Sequence, residues 1–201
     1  YARFWTKVMA DEGLLPFREP FAKLKNQGQL LAPDGTRMSK SRRNTITPDA
    51  MVEQYGADAL RVYEMFMAPF DQDIQWSTEG MSGARRFLNR VWNLYQDAYA
   101  GCSTAQEIDD ELAHELHRVI RRVSERIETF RFNTMISTLM EFVNLMMSRK
   151  HQNRWQTATF RQALDVLLLL LAPAAPHITE ELWLQTGHAG SVHQQDCRSI
   201  M

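Results

Sequence analysis

Met81, Ala84, Leu88, Val91, Tyr95 and Ala98 recur at steps of three and four, which paints one apolar stripe on a long helix. Ser77 stands where it would cap that helix. A second stripe runs through Ile108, Leu112, Leu116, Val119, Val123, Ile127 and Phe130, and a third through Met135, Leu139, Phe142, Val143 and Met146. A fourth extends from Trp155 to Leu171, where Pro173 and Pro176 end it, and Thr179-Glu180-Glu181 opens a last short helix. Residues 101–106 read as a linker. Each stripe covers one side of its helix, so the helices must bury these faces against one another. The pattern predicts an up-down helical bundle from about residue 75.

The first third of the chain is patterned differently. Tyr1 to about Leu15 reads as the end of a helix closed by Gly13 and Pro16. Gln27 to Leu31 is a short strand candidate leading into the turn Pro33-Asp34-Gly35. Thr47, Pro48 and Asp49 mark a helix start, and that helix ends near Gly56. A further helix spans Ala57 to Met67, with Leu60, Tyr63 and Met67 on one side, before the break at Pro69 to Asp73. No strand signal follows residue 36. The fold expected is therefore mainly α: a helical bundle preceded by a small mixed α/β segment.

Composition changes this picture little. Of the 201 residues, 44% are hydrophobic and 23% charged, which is ordinary for a globular protein able to hold one or two domains. The longest apolar run, residues 166–173, is far too short for a membrane span. Cys102 and Cys197 are too few and too far apart for a disulfide framework or a zinc site, and they fit a reducing compartment. Charge is more informative. The net −1 conceals nine Lys/Arg against five Asp/Glu in residues 1–50, and four against seven in residues 51–100. Positive charge gathers near one loop instead of coating the whole chain.

That loop is Arg37-Met38-Ser39-Lys40-Ser41-Arg42-Arg43-Asn44. A short cationic segment rich in hydroxyls suits an anion that must be held and released. Lys offers a mobile point charge and Arg a planar fork for phosphate oxygens. A solvated basic loop is the plainer alternative.

Arg37-Met38-Ser39-Lys40-Ser41 resembles the mobile signature loop of the class I aminoacyl-tRNA synthetases. The likeness continues through residues 41–50 and Tyr55-Gly56-Ala57-Asp58-Ala59-Leu60-Arg61, which look like the sequences after that loop in the enzymes for Leu, Ile, Val and Met. The stretches 65–69, 73–77, 86–92, 132–134 and 171–183 look most like the bacterial leucyl enzyme. The resemblance implies the end of a class I catalytic domain over 1–74, an anticodon-binding-type, tRNA-docking bundle over 75–195, and an unmatched tail over 196–201. It further implies ATP-dependent attachment of leucine to tRNA(Leu) through leucyl-adenylate, with Mg2+ accompanying ATP, in a cytoplasmic, monomeric parent enzyme. In the leucyl enzyme the bundle contacts the body of the tRNA. Arg37, Met38, Ser39, Lys40 and Ser41 are the implied ATP-binding residues, and Lys40 the catalytic one. Arg37 stands where the family loop usually begins with Lys. Tyr1 is not an initiator Met and no His-x-Gly-His occurs, so the chain reads as a piece of a longer enzyme, inactive alone, with leucine bound upstream. The alternatives are a segment of the isoleucyl, valyl or methionyl enzyme, or an RNA-binding module derived from a synthetase tail.

Arg118, Arg122 and Arg126 fall at i, i+4 and i+8 on one helix. Such a stripe either pairs with neighbouring Glu residues or follows an RNA phosphate backbone. Glu115 and Glu125 favour pairing for Arg118 and Arg122, and leave phosphate contact for Arg126. Arg85, Arg86 and Arg90 invite the same two readings. His114 and His117 form a surface pair with no ligand set to complete a metal site, so no metal is expected there. The Met residues and Trp76, Trp92, Trp155 and Trp183 are read as core.

Overall fold

The computed structural model describes residues 1–102 and 106–195. In chain order its elements are α1 (Ala2–Asp11), β1 (Leu30–Leu31), α2 (Pro48–Tyr55), α3 (Ala57–Phe66), β2 (Ile74–Gln75), α4 (Thr78–Cys102), α5 (Asp110–Glu128), α6 (Phe132–His151), α7 (Ala158–Leu171) and α8 (Pro176–Gln185), followed by a 3-10 turn at Val192–Gln194. The helical bundle expected from the stripes is present. Met81, Leu88, Val91, Leu116, Val123, Leu139, Phe142 and Leu167 meet in a single core. α7 is buried along most of its length, including the run Val166 to Leu171. The fourth stripe, expected on one side of its helix, is corrected here: the burial runs unbroken from Ala163 to Leu171 and so reaches every side of α7.

α3 belongs to the same core. Ala59, Leu60, Val62 and Tyr63 pack with the bundle residues, and Tyr63 meets Trp76 edge-to-face at 5.0 Å. The segment carrying the basic loop is thereby seated on the bundle through α3.

Several expectations need correction. A strand does exist beyond residue 36: β2 pairs with β1 in parallel, Leu30 opposite Ile74 and Leu31 opposite Gln75. Two residues cannot display a period of two, so the pattern gave no signal. The strand expected over Gln27–Leu31 shrinks to its last two residues. Gly28 lies so close to the facing chain that a Cβ there would fall 1.9 Å from the Gln72 carbonyl oxygen. Gly101 is helical, not linker, and its bare Cα faces the Trp155 ring, which a Cβ would meet at 2.3 Å. Trp155 itself precedes α7, whose cap is Thr157.

Ile108 is 69% exposed and lies outside the second stripe, because Asp109 caps α5 by accepting from the Leu112 N–H at 2.9 Å. Phe130 also leaves the stripe, in the left-handed region at φ 60°. Thr179 does not open α8. Pro176 occupies its first turn, and Thr179 is buried with its hydroxyl donating to the Ala175 carbonyl at 2.9 Å. The expected unmatched tail 196–201, with Cys197, and residues 103–105 of the expected linker lie outside the described residues.

Candidate functional site

The basic loop hangs from a tight hairpin. The Asp34 carboxylate accepts from the Thr36 N–H at 3.0 Å and the Thr36 hydroxyl at 2.7 Å, and these bonds hold its pKa below the ordinary value. Gly35, at φ 77°, donates to the Ala32 carbonyl, and the Ala32 N–H to the Thr36 carbonyl at 2.8 Å. Leu31 bridges Arg37 across this turn. Asn44 then closes the loop from its far end. Its amide nitrogen donates to the Thr36 hydroxyl at 3.0 Å and the Arg37 carbonyl at 3.3 Å, while its oxygen accepts from the Ser39 N–H at 2.9 Å.

Within this clamp the backbone coils. Arg42 N–H donates to the Ser39 carbonyl and Arg43 N–H to that of Lys40, both at 3.2 Å, with Arg43 at φ 53°. Met38 is half-buried against the core, whereas Arg37, Lys40, Ser41, Arg42 and Arg43 are exposed. The Ser39 and Ser41 hydroxyls sit 3.2 Å apart. The result is a cationic crown on a braced backbone, with its charged groups open to an anion from solvent.

A second construction locks the loop-bearing segment to the bundle. The Asp58 carboxylate, on α3, accepts from the backbone N–H groups of His177 at 3.3 Å and Ile178 at 2.7 Å, 119 and 120 residues away. It also lies 2.8 Å from the His177 Nδ1. Asp58 thus caps the first turn of α8 from another helix, placing negative charge at the positive end of its dipole. One turn on, Arg61 donates to the carbonyls of Pro173 at 2.8 Å and Ala174 at 3.2 Å. Asp58→Ala is expected to cost about 1–2 kcal/mol, since two N–H groups lose their acceptor. Asp58→Asn, which keeps one acceptor, should fall between. Thermal melts of both variants check this, and an unchanged midpoint for the alanine form would remove the capping role.

The predicted RNA-facing arginines divide by environment. Arg85 donates to the Gln54 carbonyl at the end of α2, at 2.7 Å. Arg90 reaches the Asn144 side-chain oxygen and lies 3.4 Å from the Met147 sulfur, joining α4 to α6. Arg86 is exposed. Arg118 pairs with Glu115 at 2.7 Å, whereas no ion pair between Arg122 and Glu125 forms among the described residues. Arg126 is half-buried, and one of its terminal nitrogens is buried without a hydrogen-bond partner. Asn44, Asp58 and Arg61 were missed as positioning residues. The only signal for them was that each falls inside a family-like motif.

Two family models match. Residues 1–77 match tRNA synthetases class I (I, L, M and V), and residues 109–199 match the anticodon-binding domain of tRNA ligase. Leucine–tRNA ligase of Deinococcus radiodurans is 42% identical over 193 residues, spanning 96% of this chain and 24% of that protein. The leucine–tRNA ligase of Pelodictyon phaeoclathratiforme is 45% identical over 197 residues, again 96% and 24%. The chain belongs to the leucine–tRNA ligase family. It spans about a quarter of the length of the curated relatives it matches. Among solved structures, a LeuRS–tRNA–LeuAMS ternary complex from Agrobacterium radiobacter superposes with a TM-score of 0.84 at 34% identity, over 96% of this chain and 26% of that one. A methionyl-tRNA synthetase of Mycobacterium tuberculosis shares the fold, with a TM-score of 0.70 at 20% identity over 98% and 43%.

This leucine–tRNA ligase family member also carries a buried polar cluster at the far end of the bundle. His188 stacks on Trp183 with centroids 3.8 Å apart, and its Nε2 lies 3.4 Å from Asp165, which is 9% exposed. Burial raises the Asp165 carboxyl above its usual range, and His188, Arg161 and Tyr99 only partly oppose it. Burial likewise pushes Tyr99 up to about 12, with Asp165 adding to it, and pushes the Cys102 thiol to about 11. Because the native Asp165 binds its proton more tightly than the unfolded chain, stability falls as pH rises from the unfolded carboxylate pKa, about 4, through the raised native one. Asp165→Asn should flatten that decline. Its melting point relative to the parent should be higher at neutral pH and converge below about pH 4. A variant less stable at pH 7 than at pH 4, relative to the parent, would contradict the sign.

Proposed function

We propose that this chain is the part of an ATP-dependent leucine–tRNA ligase that supplies the ATP-phosphate loop and the tRNA-docking bundle. The loop clamped by Asn44, with Lys40 exposed at its crown, carries the reading. In the first half-reaction the leucine carboxylate attacks the α-phosphorus of ATP, forming leucyl-adenylate and releasing pyrophosphate. Lys40 neutralises the charge that builds on the departing phosphates, with Arg37 and the Ser39 and Ser41 hydroxyls as further donors. In the second, a ribose hydroxyl at the end of tRNA(Leu) attacks the acyl carbon and AMP leaves.

The loop offers only cations and hydroxyls. Among the described residues no three His, Cys, Asp or Glu side chains converge, so Mg2+ would arrive on the triphosphate instead of in a site built by this chain. We place residues 1–74 with the catalytic domain and 75–195 with the docking domain. No helix among the described residues is long and apolar enough to cross a membrane, and a cytoplasmic monomer is the setting we assign to the parent. Leucine itself would be held by residues outside this chain.

The test compares the isolated chain with the full-length protein. Full-length protein should exchange pyrophosphate into ATP in a leucine-dependent manner and charge tRNA(Leu). The isolated chain should do neither, because the sheet among its described residues is only the two-stranded β1–β2 pair, too small to form a nucleotide site for the loop to close against. Leucine-dependent exchange by the isolated chain, or its absence from the full-length protein, would refute the assignment.

A further inference from the structure

The turn between α5 and α6 holds an aromatic ring in a backbone conformation that favours glycine. Phe130 sits at φ 60°, with its N–H donating to the Ile127 carbonyl and the Arg131 N–H to that of Arg126. This left-handed residue closing a helix is usually Gly, because a side chain there is strained. The strain presents Phe130 to Phe70 and Phe132, with ring centroids at 5.2 and 5.5 Å.

Beside these rings opens a cleft of about 350 Å³ lined by Lys25, Phe70, Asp71, Phe130, Arg131 and Asn133 among others. The Lys25 ammonium stands 5.4 Å from the Phe130 centroid. Positive charge continues from the cleft along α5. Arg122 and Arg131 both bear on Arg126, whose buried nitrogen lacks a partner, and Glu125 and Glu141 offset them only in part.

An aromatic ring beside exposed cations is what single-stranded nucleic acid uses: the ring stacks a base and the cations hold its phosphates. A duplex backbone needs the cations but has no use for the strained ring. We propose that this cleft receives one unstacked nucleotide of the bound tRNA, its base against Phe130 and its flanking phosphates on Lys25 and Arg131. The inference rests on the tRNA-docking reading and adds the place and manner of one contact.

Phe130→Gly tests it in the full-length protein, because glycine removes the ring and relieves the backbone together. The variant should melt at or above the parent temperature, yet bind a tRNA(Leu) transcript roughly tenfold more weakly. The double variant Lys25→Gln, Arg131→Gln should weaken binding and flatten the slope of log affinity against log salt by about two. Parent-like tRNA affinity in Phe130→Gly, or an unchanged salt slope in the double variant, overturns the cleft. A lowered melting point of Phe130→Gly without tRNA also overturns it, by making the ring simple core. A parent protein that fails to bind tRNA defeats the docking reading itself, a distinct result.

Discussion

Lys40→Ala in the full-length protein is expected to lower leucine-dependent pyrophosphate exchange by about two to three orders of magnitude, the loss typical of one preorganised donor to a developing anion. The side chain stands exposed on a loop whose own hydrogen bonds are made by Asn44, Ser39 and Thr36, so its removal leaves the loop's scaffold intact. ATP affinity should fall much less, because the charge Lys40 meets is greatest as pyrophosphate departs. Single-turnover exchange at saturating ATP separates the two effects. If turnover held and only the apparent ATP constant rose, the lysine would be a binding residue alone. Asn44→Ala makes a useful companion: it frees the loop without touching its charge, and should reproduce part of the loss.

The largest expected loss of stability follows from Arg149→Ala. Arg149 is 4% exposed and reaches the Asp109 carboxylate, with Glu111 at 3.1 Å. Arg154 adds a second cation to Glu111 at 3.0 Å. Asp109 is also the cap of α5, and its own N–H donates to the Thr159 hydroxyl at 2.9 Å. One guanidinium therefore joins the end of α6 to the starts of α5 and α7. Removing it leaves the buried Asp109 carboxylate with only the Leu112 N–H and the more exposed Arg154 at 3.8 Å, so the cost should lie near the lower end of the about 3–5 kcal/mol typical of a broken buried pair. Denaturant unfolding of the chain measures this directly. A cost below about 1 kcal/mol would mean that solvent reaches Asp109 once the arginine is gone.

The bundle was legible because its stripes are long. Met81 to Ala98 and Leu112 to Ile127 each repeat often enough for the period to declare itself. The loop was legible for a chemical reason, since four cations and two hydroxyls in eight residues have few structural uses. What escaped were features of one residue and long range. β2 is two residues long, Phe130 departs from its stripe only through one backbone angle, and Asp58 finds its partners 119 and 120 positions later. Asp109 likewise finds its buried partner Arg149 forty positions later. No local pattern carries such information, because it depends on which distant segment arrives beside each residue.

The Asp58 cap has a consequence for how the chain is made. α3 leaves the ribosome long before Ile178, the residue whose N–H it serves. At about 5–20 residues per second, Asp58 waits roughly 6 to 24 seconds for that partner. Until then Ala59, Leu60, Val62 and Tyr63, all buried in the finished bundle, have only part of their covering. The basic loop thus gains its mount last, and a nascent chain stalled before α8 would expose an apolar α3 surface to chaperones and proteases.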